Sequence, residues 1–533
     1  MKFGSDVLHI RCASLCLAFP YLLLFSGCSR PTPPPTKPGE IGINLAALTD
    51  YSTELVFVDL FKQSRPWIAE KNGASFGSLP PVDVDSFGNL VRLREGEIAT
   101  AMMGTQNGFP SGQYVCLYDG VGVVDFSGNA KVLNESPGRL VVSVSSGGPI
   151  SLHVKESDKL DPIKNIRFIM PGFEDTHEQK PFYPPFVERT AQFRVVRFMD
   201  WMNTNNCPIR FWPENAACGS QVQDCGVAPD YMIHLCNLTD THPWFCIPHL
   251  AMDSYVKEFA EQIKRDLSPD LKVYVEHSNE VWNGQFSQAT YASTRGINQG
   301  LSRHRYEAGI LYHAKRSYEI FGIWRQVLGR DRVVCVLGSQ ARTPWASELL
   351  AEFDTSENRA DVLAIAPYFG GRIGDPEKTP IESLTLDKVF ALCEKEIEKV
   401  SKEVREHRQI AYENSMRVIA YESGQHLVGI GAAKSNERLT ELLQSANRDD
   451  RMESMYLLSK RSWDNSGGEL FLLYNSVGAP SKWGSWGLLE DESQDPNSAP
   501  KYRAARALLS SGRPNSPVGN APSKQLQDAS PSI

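Results

Sequence analysis

From residue 192 onward, short apolar runs alternate with longer amphipathic segments, and this rhythm constrains the fold more than any other feature of the chain. The runs fall at residues 195–199, 244–248, 273–276, 333–337, 362–366, 418–421 and 470–474. Runs that are apolar at nearly every position, and too short for helices, suit strands covered on both faces, as in a parallel sheet joined by crossover helices. The segments between them include 254–267, 306–328 and 384–406, which place apolar residues three and four apart, for example Val256, Phe259, Ala260 and Ile263. Each such segment therefore has one apolar face to lay against a sheet. Seven strands do not close a (β/α)8 barrel. An eighth run lies upstream at 41–45, with a helix expected over 53–62.

The stretch from 76 to 168 has a different texture. Runs at 114–118, 121–126, 140–144, 150–154 and 166–170 follow one another at close intervals, separated by Gly, Pro, Asp and Asn, which is the pattern of antiparallel strands. The fold expected is a TIM (β/α)8 barrel carrying an inserted antiparallel β-domain. Its parts are a first strand and helix in 41–75, the insertion in 76–168, and the rest of the barrel in 169–511. Beyond residue 511 the Ser/Pro/Asn/Gln composition lacks apolar periodicity and reads as a disordered tail, 512–533.

The first 28 residues read as an export signal: Lys2 and Arg11 precede an apolar run from Cys12 to Gly27 that is short for a membrane span. The run ends in Leu24-Phe25-Ser26-Gly27-Cys28, which resembles the lipobox of bacterial lipoproteins and implies acylation of Cys28. The alternative is cleavage and release. Residues 29–40 contain Pro31, Pro33, Pro34, Pro35 and Pro38, a stiff spacer suited to holding a domain off a membrane. Cysteine usage agrees with an oxidising compartment. Cys207, Cys218, Cys225 and Cys236 crowd one loop-like stretch and are expected to pair locally, since no CxxC or nearby His set favours a metal there. Cys246 and Cys335 sit inside strand-like runs as core thiols.

Charge excludes one class of partner. Lys plus Arg number 55 against 63 Asp plus Glu, and no dense basic run is present, so nucleic acid is not expected. No phosphate-cradling Gly-rich loop, Gly-x-Ser-x-Gly elbow or Cys/His metal set occurs, and no cofactor is called for.

In a barrel of this kind reactive groups gather at the C-terminal ends of the strands. Two glutamates occupy such positions: Glu280 closes the fourth run, in Val273-Tyr-Val-Glu-His-Ser-Asn-Glu280-Val-Trp282-Asn283, and Glu422 closes the seventh, in Val418-Ile-Ala-Tyr-Glu422-Ser-Gly-Gln-His426. Strands four and seven face each other across a barrel mouth, and a facing pair of carboxyls is what glycosidic cleavage requires. The arrangement resembles the large clan of retaining (β/α)8 glycoside hydrolases. Glu276-His-Ser-Asn279-Glu280-Val-Trp282 is similar to the clan's Glu-x-Gly-Asn-Glu-Pro-Trp pattern, with Ser278 for Gly and Val281 for Pro.

The resemblance implies that Glu280 is the acid/base, Asn279 a donor to the sugar 2-hydroxyl and Glu422 the nucleophile. It further implies that Arg197 on the second strand and Tyr368 after the sixth bond Glu422, Arg197 favouring its ionised form. Two positions depart from the pattern: Ala366 stands where some families have His, and no Trp ends the eighth strand at Tyr474-Asn475. His249, after the third strand, is either a substrate contact or a structural histidine.

Loop tryptophans Trp201, Trp212, Trp282, Trp483 and Trp486 offer faces for sugar C–H groups, with Trp282 and Trp486 the preferred platforms and roofing of the barrel the alternative. The function expected is cleavage of a β-linked poly- or oligosaccharide with retention, by an exported protein anchored through Cys28 or released. A catalytically silent glycan-binding protein on the same barrel, or a transglycosylase, are the alternatives.

Overall fold

The computed structural model describes residues 40–104, 109–212, 221–223, 226–353 and 358–511. Eight parallel strands close a barrel in chain order: β1 (Ile41–Asn44), β2 (Val195–Arg197), β3 (His242–Ile247), β4 (Val273–His277), β5 (Val333–Gly338), β6 (Val362–Ile365), β7 (Arg417–Ala420) and β8 (Phe471–Leu473). Ile41 pairs with Phe471 and Ile43 with Leu473, which seals the ring. Alternation along each strand divides its side chains between two cores. Val195, Trp244, Tyr274, Val336, Ala364 and Leu472 fill the barrel interior, whereas Val196, Phe245, Val275, Leu363 and Val418 turn outward against the helices. Gly42 holds the inward position of β1 because a Cβ there would stand 2.7 Å from Leu472 and 2.8 Å from the Val195 carbonyl oxygen.

The described helices are α1 (Pro184–Thr190), α2 (Pro229–Thr239), α3 (Asp253–Asp266), α4 (Ser287–Asn298), α5 (Arg305–Leu328), α6 (Pro344–Glu352), α7 (Leu386–Glu413), α8 (Glu437–Arg448), α9 (Arg451–Asn465) and α10 (Pro500–Ser511).

The insertion is a pair of four-stranded antiparallel sheets with a two-stranded one, Asp83–Val84 against Leu90–Arg92. One runs in the order Ile68–Lys71, Glu97–Met103, Ile150–Ser157, Gly122–Gly128, and the other in the order Lys164–Ile169, Gly112–Asp119, Arg139–Val144, Ala130–Ser136. The strand at Ile68–Lys71 puts the start of these sheets ahead of residue 76. No α-helix covers 53–62; only a 3-10 turn, Leu60–Gln63, forms there, with the Asp59 carboxylate accepting from the Phe61 N–H. The reason is burial on all sides. Val56, Phe57 and Val58 are fully buried, with Val56 and Phe57 in the barrel's outer core and Leu55, Leu60 and Phe61 in the sandwich core. A β-branched and aromatic segment wedged between two cores has no polar face to offer a helix, and it runs extended, with Phe57 bridging Phe182 and Asp59 bridging Ile169.

Cysteine placement differs from the expected local pairing. Cys236 on α2 is a free thiol, fully buried, and burial pushes it up to about 12; Cys218 and Cys225 lie outside the described residues. Cys246 and Cys335 are buried free thiols on β3 and β5. The export signal, Cys28, residues 29–39 of the spacer and the tail 512–533 also fall outside the described residues. Among those described, no helix is long and apolar enough to cross a membrane.

Candidate active site

The floor of the site is the topmost inward layer of the barrel. Two residues beyond Val195 on β2, Arg197 points inward with no exposed surface. Its guanidinium donates to Glu276 Oε2 on β4 at 2.9 and 3.1 Å, to Glu422 Oε1 at 2.8 Å, to Asn279 Oδ1 at 2.9 Å and to Asn44 Oδ1 at 3.1 Å. Glu276 Oε2 also accepts from the Trp244 indole N–H at 2.8 Å and from the Cys246 thiol at 3.3 Å. One cation thus orients a carboxylate from β4, another from the end of β7, and an amide between them. An arginine fork suits this task because its donors are fixed in one plane.

Glu422 follows β7 and is 7% exposed. Besides the Arg197 contact, its Oε2 accepts from the Tyr368 hydroxyl at 3.0 Å. Burial pushes its carboxyl up to about 8, and the Glu280 carboxylate adds to the rise, while Arg197 and Tyr368 pull the other way. Arg197 was expected to favour the ionised form. It does oppose the rise, but it limits the cost of burial without reversing it.

Glu280 sits in the turn after β4, in a backbone bent through left-handed positions at Ser278 (φ 59°) and Glu280 (φ 41°). This turn carries the side chain over the barrel mouth. There its Oε1 accepts from the Tyr421 hydroxyl at 3.1 Å and its Oε2 from the Asn283 amide at 2.9 Å. No cation pairs with it among the described residues. Asn279 is held from the other side: its amide donates to Asn205 Oδ1 at 3.1 Å, and Gln288 donates to its carbonyl at 2.9 Å.

Glu280, Trp282, Tyr368, Tyr421, Arg342 and His426 are among the residues lining one cleft of about 510 Å³ over the barrel mouth. Trp486 stands edge-on to His426, Tyr474 and Tyr368, with ring centres 5.1, 5.8 and 6.0 Å away. The remaining aromatic candidates lie elsewhere. Trp201 is 1% exposed and packs between Phe186 and Phe198 in the core, Trp212 stacks on Phe259 with centres 5.0 Å apart, and Trp483 is exposed under Lys434 and Lys482. His249 is buried edge-on against Tyr291 and is not part of the cleft lining; burial pushes it down to about 4. No group of His, Cys, Asp and Glu able to hold a metal occurs among the described residues.

Several site residues had no place in the sequence reading. Tyr421 and Asn283 stand one residue before Glu422 and three after Glu280, so adjacency was a usable signal. The partnership of Glu276 with Arg197 follows from both being inward on their strands. Asn44, Asn205 and Arg342 arrive from other strands and loops, and nothing local to them marks the site.

No protein-family model matches the chain, and no curated protein matches it in sequence. Among solved structures, it is similar to a GH51 arabinofuranosidase from Xanthomonas axonopodis pv. citri, at 10% identity over 55% of this chain and 59% of that one, with a TM-score of 0.35. It is likewise similar to a β-glucosidase from Thermotoga maritima, at 8% identity over 63% of this chain and 86% of that one, with a TM-score of 0.35. A third is a GH5-4 broad specificity endoglucanase from Bacteroides salanitronis, at 11% identity over 61% and 84% of the respective chains, with a TM-score of 0.34.

Proposed function

We propose that the chain is a retaining glycoside hydrolase acting on a β-linked poly- or oligosaccharide, exported and held at the envelope through Cys28. The observation that carries this reading is the contrast between two carboxyls at one barrel mouth. Glu422 is gripped by a buried guanidinium and a phenol, whereas Glu280 accepts only from neutral donors. In double displacement the nucleophile must be ionised and aimed, and the acid must keep a proton to give to the departing oxygen. Glu422 fits the first role by its aim and by the guanidinium that opposes the rise burial imposes on its carboxyl, and Glu280 fits the second by having no paired cation among the described residues. Asn279, pinned by Arg197, Asn205 and Gln288, is the donor to a sugar hydroxyl, and Trp282 in the cleft lining supplies an apolar face for the ring, while Trp486 backs the wall formed by Tyr368 and His426. Retention sets the two carboxyl groups about 5–5.5 Å apart, leaving no room for an attacking water between nucleophile and sugar.

The test is azide rescue. Glu280→Ala should lose roughly 10²–10⁴-fold with poor leaving groups, keep cleavage of activated aryl glycosides, and give the retained glycosyl azide. Glu422→Gly with azide should give the opposite anomer. Equal loss in both variants with every leaving group would remove these roles, and a parent protein that binds glycans without turnover would be a silent binding protein. Because a protonated nucleophile cannot attack, kcat/KM should fall on the acid side along a limb displaced upward from the usual glutamate range, in keeping with the raised carboxyl of Glu422.

A further inference from the structure

Gln340, on the loop after β5, lines the cleft together with Glu280, Trp282 and Asn283. It is joined there to two aromatic rings that no core covers. Tyr306, at the start of α5, and Trp345, at the start of α6, are 41% and 46% exposed. The Tyr306 hydroxyl donates to Gln340 Oε1 at 3.1 Å, and the Thr343 hydroxyl donates to the same oxygen at 2.8 Å. Two donors on the carbonyl oxygen fix this amide and turn its own N–H donors the other way. The planes of Tyr306 and Trp345 lie 19° apart, with ring centres 6.4 Å apart. Near-parallel rings with overlapping faces stand about 3.5–4 Å apart, so these two are offset and each keeps part of a face open. The backbone beneath them is anchored: Ala346 and Ser347 are fully buried, and Ser347 Oγ donates to Ser339 Oγ at 2.6 Å. A single exposed apolar side chain needs no explanation, but two rings held near-parallel and bonded to the wall of a cleft form a surface continuous with it.

We propose that Trp345 and Tyr306 hold a sugar ring of the leaving group, so that the substrate of this cleft is a saccharide extended beyond the cleaved bond and not a glycoside with a small aglycone. The inference rests on the glycoside hydrolase reading for its setting. In that reading Glu280 is the acid, and the acid stands beside the departing oxygen. The rings reach the cleft through Gln340, which follows β5, and β5 pairs with β4, the strand that carries Glu280. Glu422 comes from β7, separated from β5 by β6. A chain that leaves the reacting centre past Glu280 therefore meets Gln340 and then the rings. Their chemistry suits a sugar, whose C–H face packs on an aromatic ring and whose hydroxyl oxygens accept from amide N–H groups. Trp345 and Tyr306 supply the ring faces and Gln340 the donors. An aryl or alkyl leaving group that ends inside the cleft gains nothing from them.

The experiment compares β-linked gluco-, manno- and xylo-oligosaccharides of increasing length with the aryl β-glycoside of each sugar, the cleaved bond being located from the products. Equilibrium binding of the oligosaccharides is measured alongside turnover. In the parent, kcat/KM should rise as sugars are added to the leaving group in one of the three series. Trp345→Ala should lower the ratio of kcat/KM on extended substrate to kcat/KM on aryl glycoside by about three- to tenfold, and Trp345→Phe, which keeps a ring, should restore most of it. A merely structural role would lower both values together and leave the ratio where it was. Trp345 is exposed, so neither variant empties a core. An unchanged ratio in Trp345→Ala, or a parent that gains neither affinity nor rate from extension in any series, would overturn the proposal, and continued cleavage of an aryl glycoside would then keep the hydrolase. Oligosaccharide binding that weakens in Trp345→Ala, with no turnover of any substrate by the parent, would instead sink the hydrolase reading and keep this site.

Discussion

A single backbone position shows how the site constrains its own sequence. Ser278 occupies the place where the clan's pattern has glycine, and its φ of 59° is one that glycine adopts freely and an L side chain pays for. Its hydroxyl is also buried without a partner. Two penalties thus meet at one residue. Left-handed backbone costs roughly 1–2 kcal/mol and an unsatisfied buried hydroxyl about 1–3 kcal/mol, against roughly 0.5–1 kcal/mol of added chain entropy in glycine. Ser278→Gly is therefore expected to stabilise the fold by about 1–4 kcal/mol, read as a higher denaturation midpoint with an unchanged slope. A destabilised variant would mean that the hydroxyl has a partner in solution. Glu280 shares the left-handed bend, but its side chain is what the bend exists to place, and no such exchange is open to it.

At the scale of elements, the barrel strands were legible because strands covered on both faces must be apolar at every position, and the amphipathic helices because each needs one apolar stripe. The segment over 53–62 misled for a physical reason. Its apolar residues face two different cores, and spacing along the chain does not reveal how many cores will cover it. Trp201 and Trp212 take the packing alternative, because a tryptophan after a strand can point down onto helices as readily as up into a cleft. The glutamates at the ends of β4 and β7 could be located by counting strands. Arg342 and His426, which line the cleft from the loops after β5 and β7, could not be reached by any count, since the paths of those loops have no local signature.

The seam where the inserted sandwich leaves the barrel has its own fastening. Arg189 on α1 donates to Glu492 at 2.5 and 2.8 Å and to Glu54 at 3.4 Å; Glu492 accepts from the Leu55 N–H, and Glu54 accepts from Ser476 just after β8. The two carboxylates are nearly buried, with side-chain exposures of 7% and 1%. Arg189→Ala leaves both without their cation, and breaking a buried pair in this way costs about 3–5 kcal/mol. A loss under 1 kcal/mol in chemical denaturation would show that the seam is fastened elsewhere.

For the whole molecule, the buried ionisable groups set the pH range in which the fold is strongest. Burial pushes Glu54 up to about 7, Asp200 to about 6 and Glu422 to about 8. Above about pH 4.5 the unfolded chain releases these protons while the folded one retains them, so their contribution is lost as pH rises towards each folded value. Histidines act in the opposite sense. Burial pushes His242, His249 and His313 down to about 4, and His277, which shares a hydrogen bond with His313, is also lowered. Below about pH 6.5 the unfolded chain gains protons that these folded rings refuse, so stability is lost as pH falls.

Between about pH 5 and 6.5 the two trends oppose each other and nearly cancel. Above that range the acids are opposed by Lys501, which burial pushes down to about 7, so that the unfolded chain keeps a proton the folded one releases and stability is gained as pH rises past 7; below the range the histidines win. The melting temperature should accordingly show a plateau near pH 5–6.5, decline towards about pH 7, level off beyond it as Lys501 offsets Glu422, and decline again below pH 5. Glu422→Gln removes the most strongly raised of the three acids, so the difference in melting temperature between this variant and the parent should move in the variant's favour from pH 6 to pH 8.5. Melting curves across that range decide the matter, because Lys501 acts equally in both proteins: a variant whose difference from the parent does not change would mean that Glu422 is ionised in the folded protein at little cost and that Arg197 alone governs its charge.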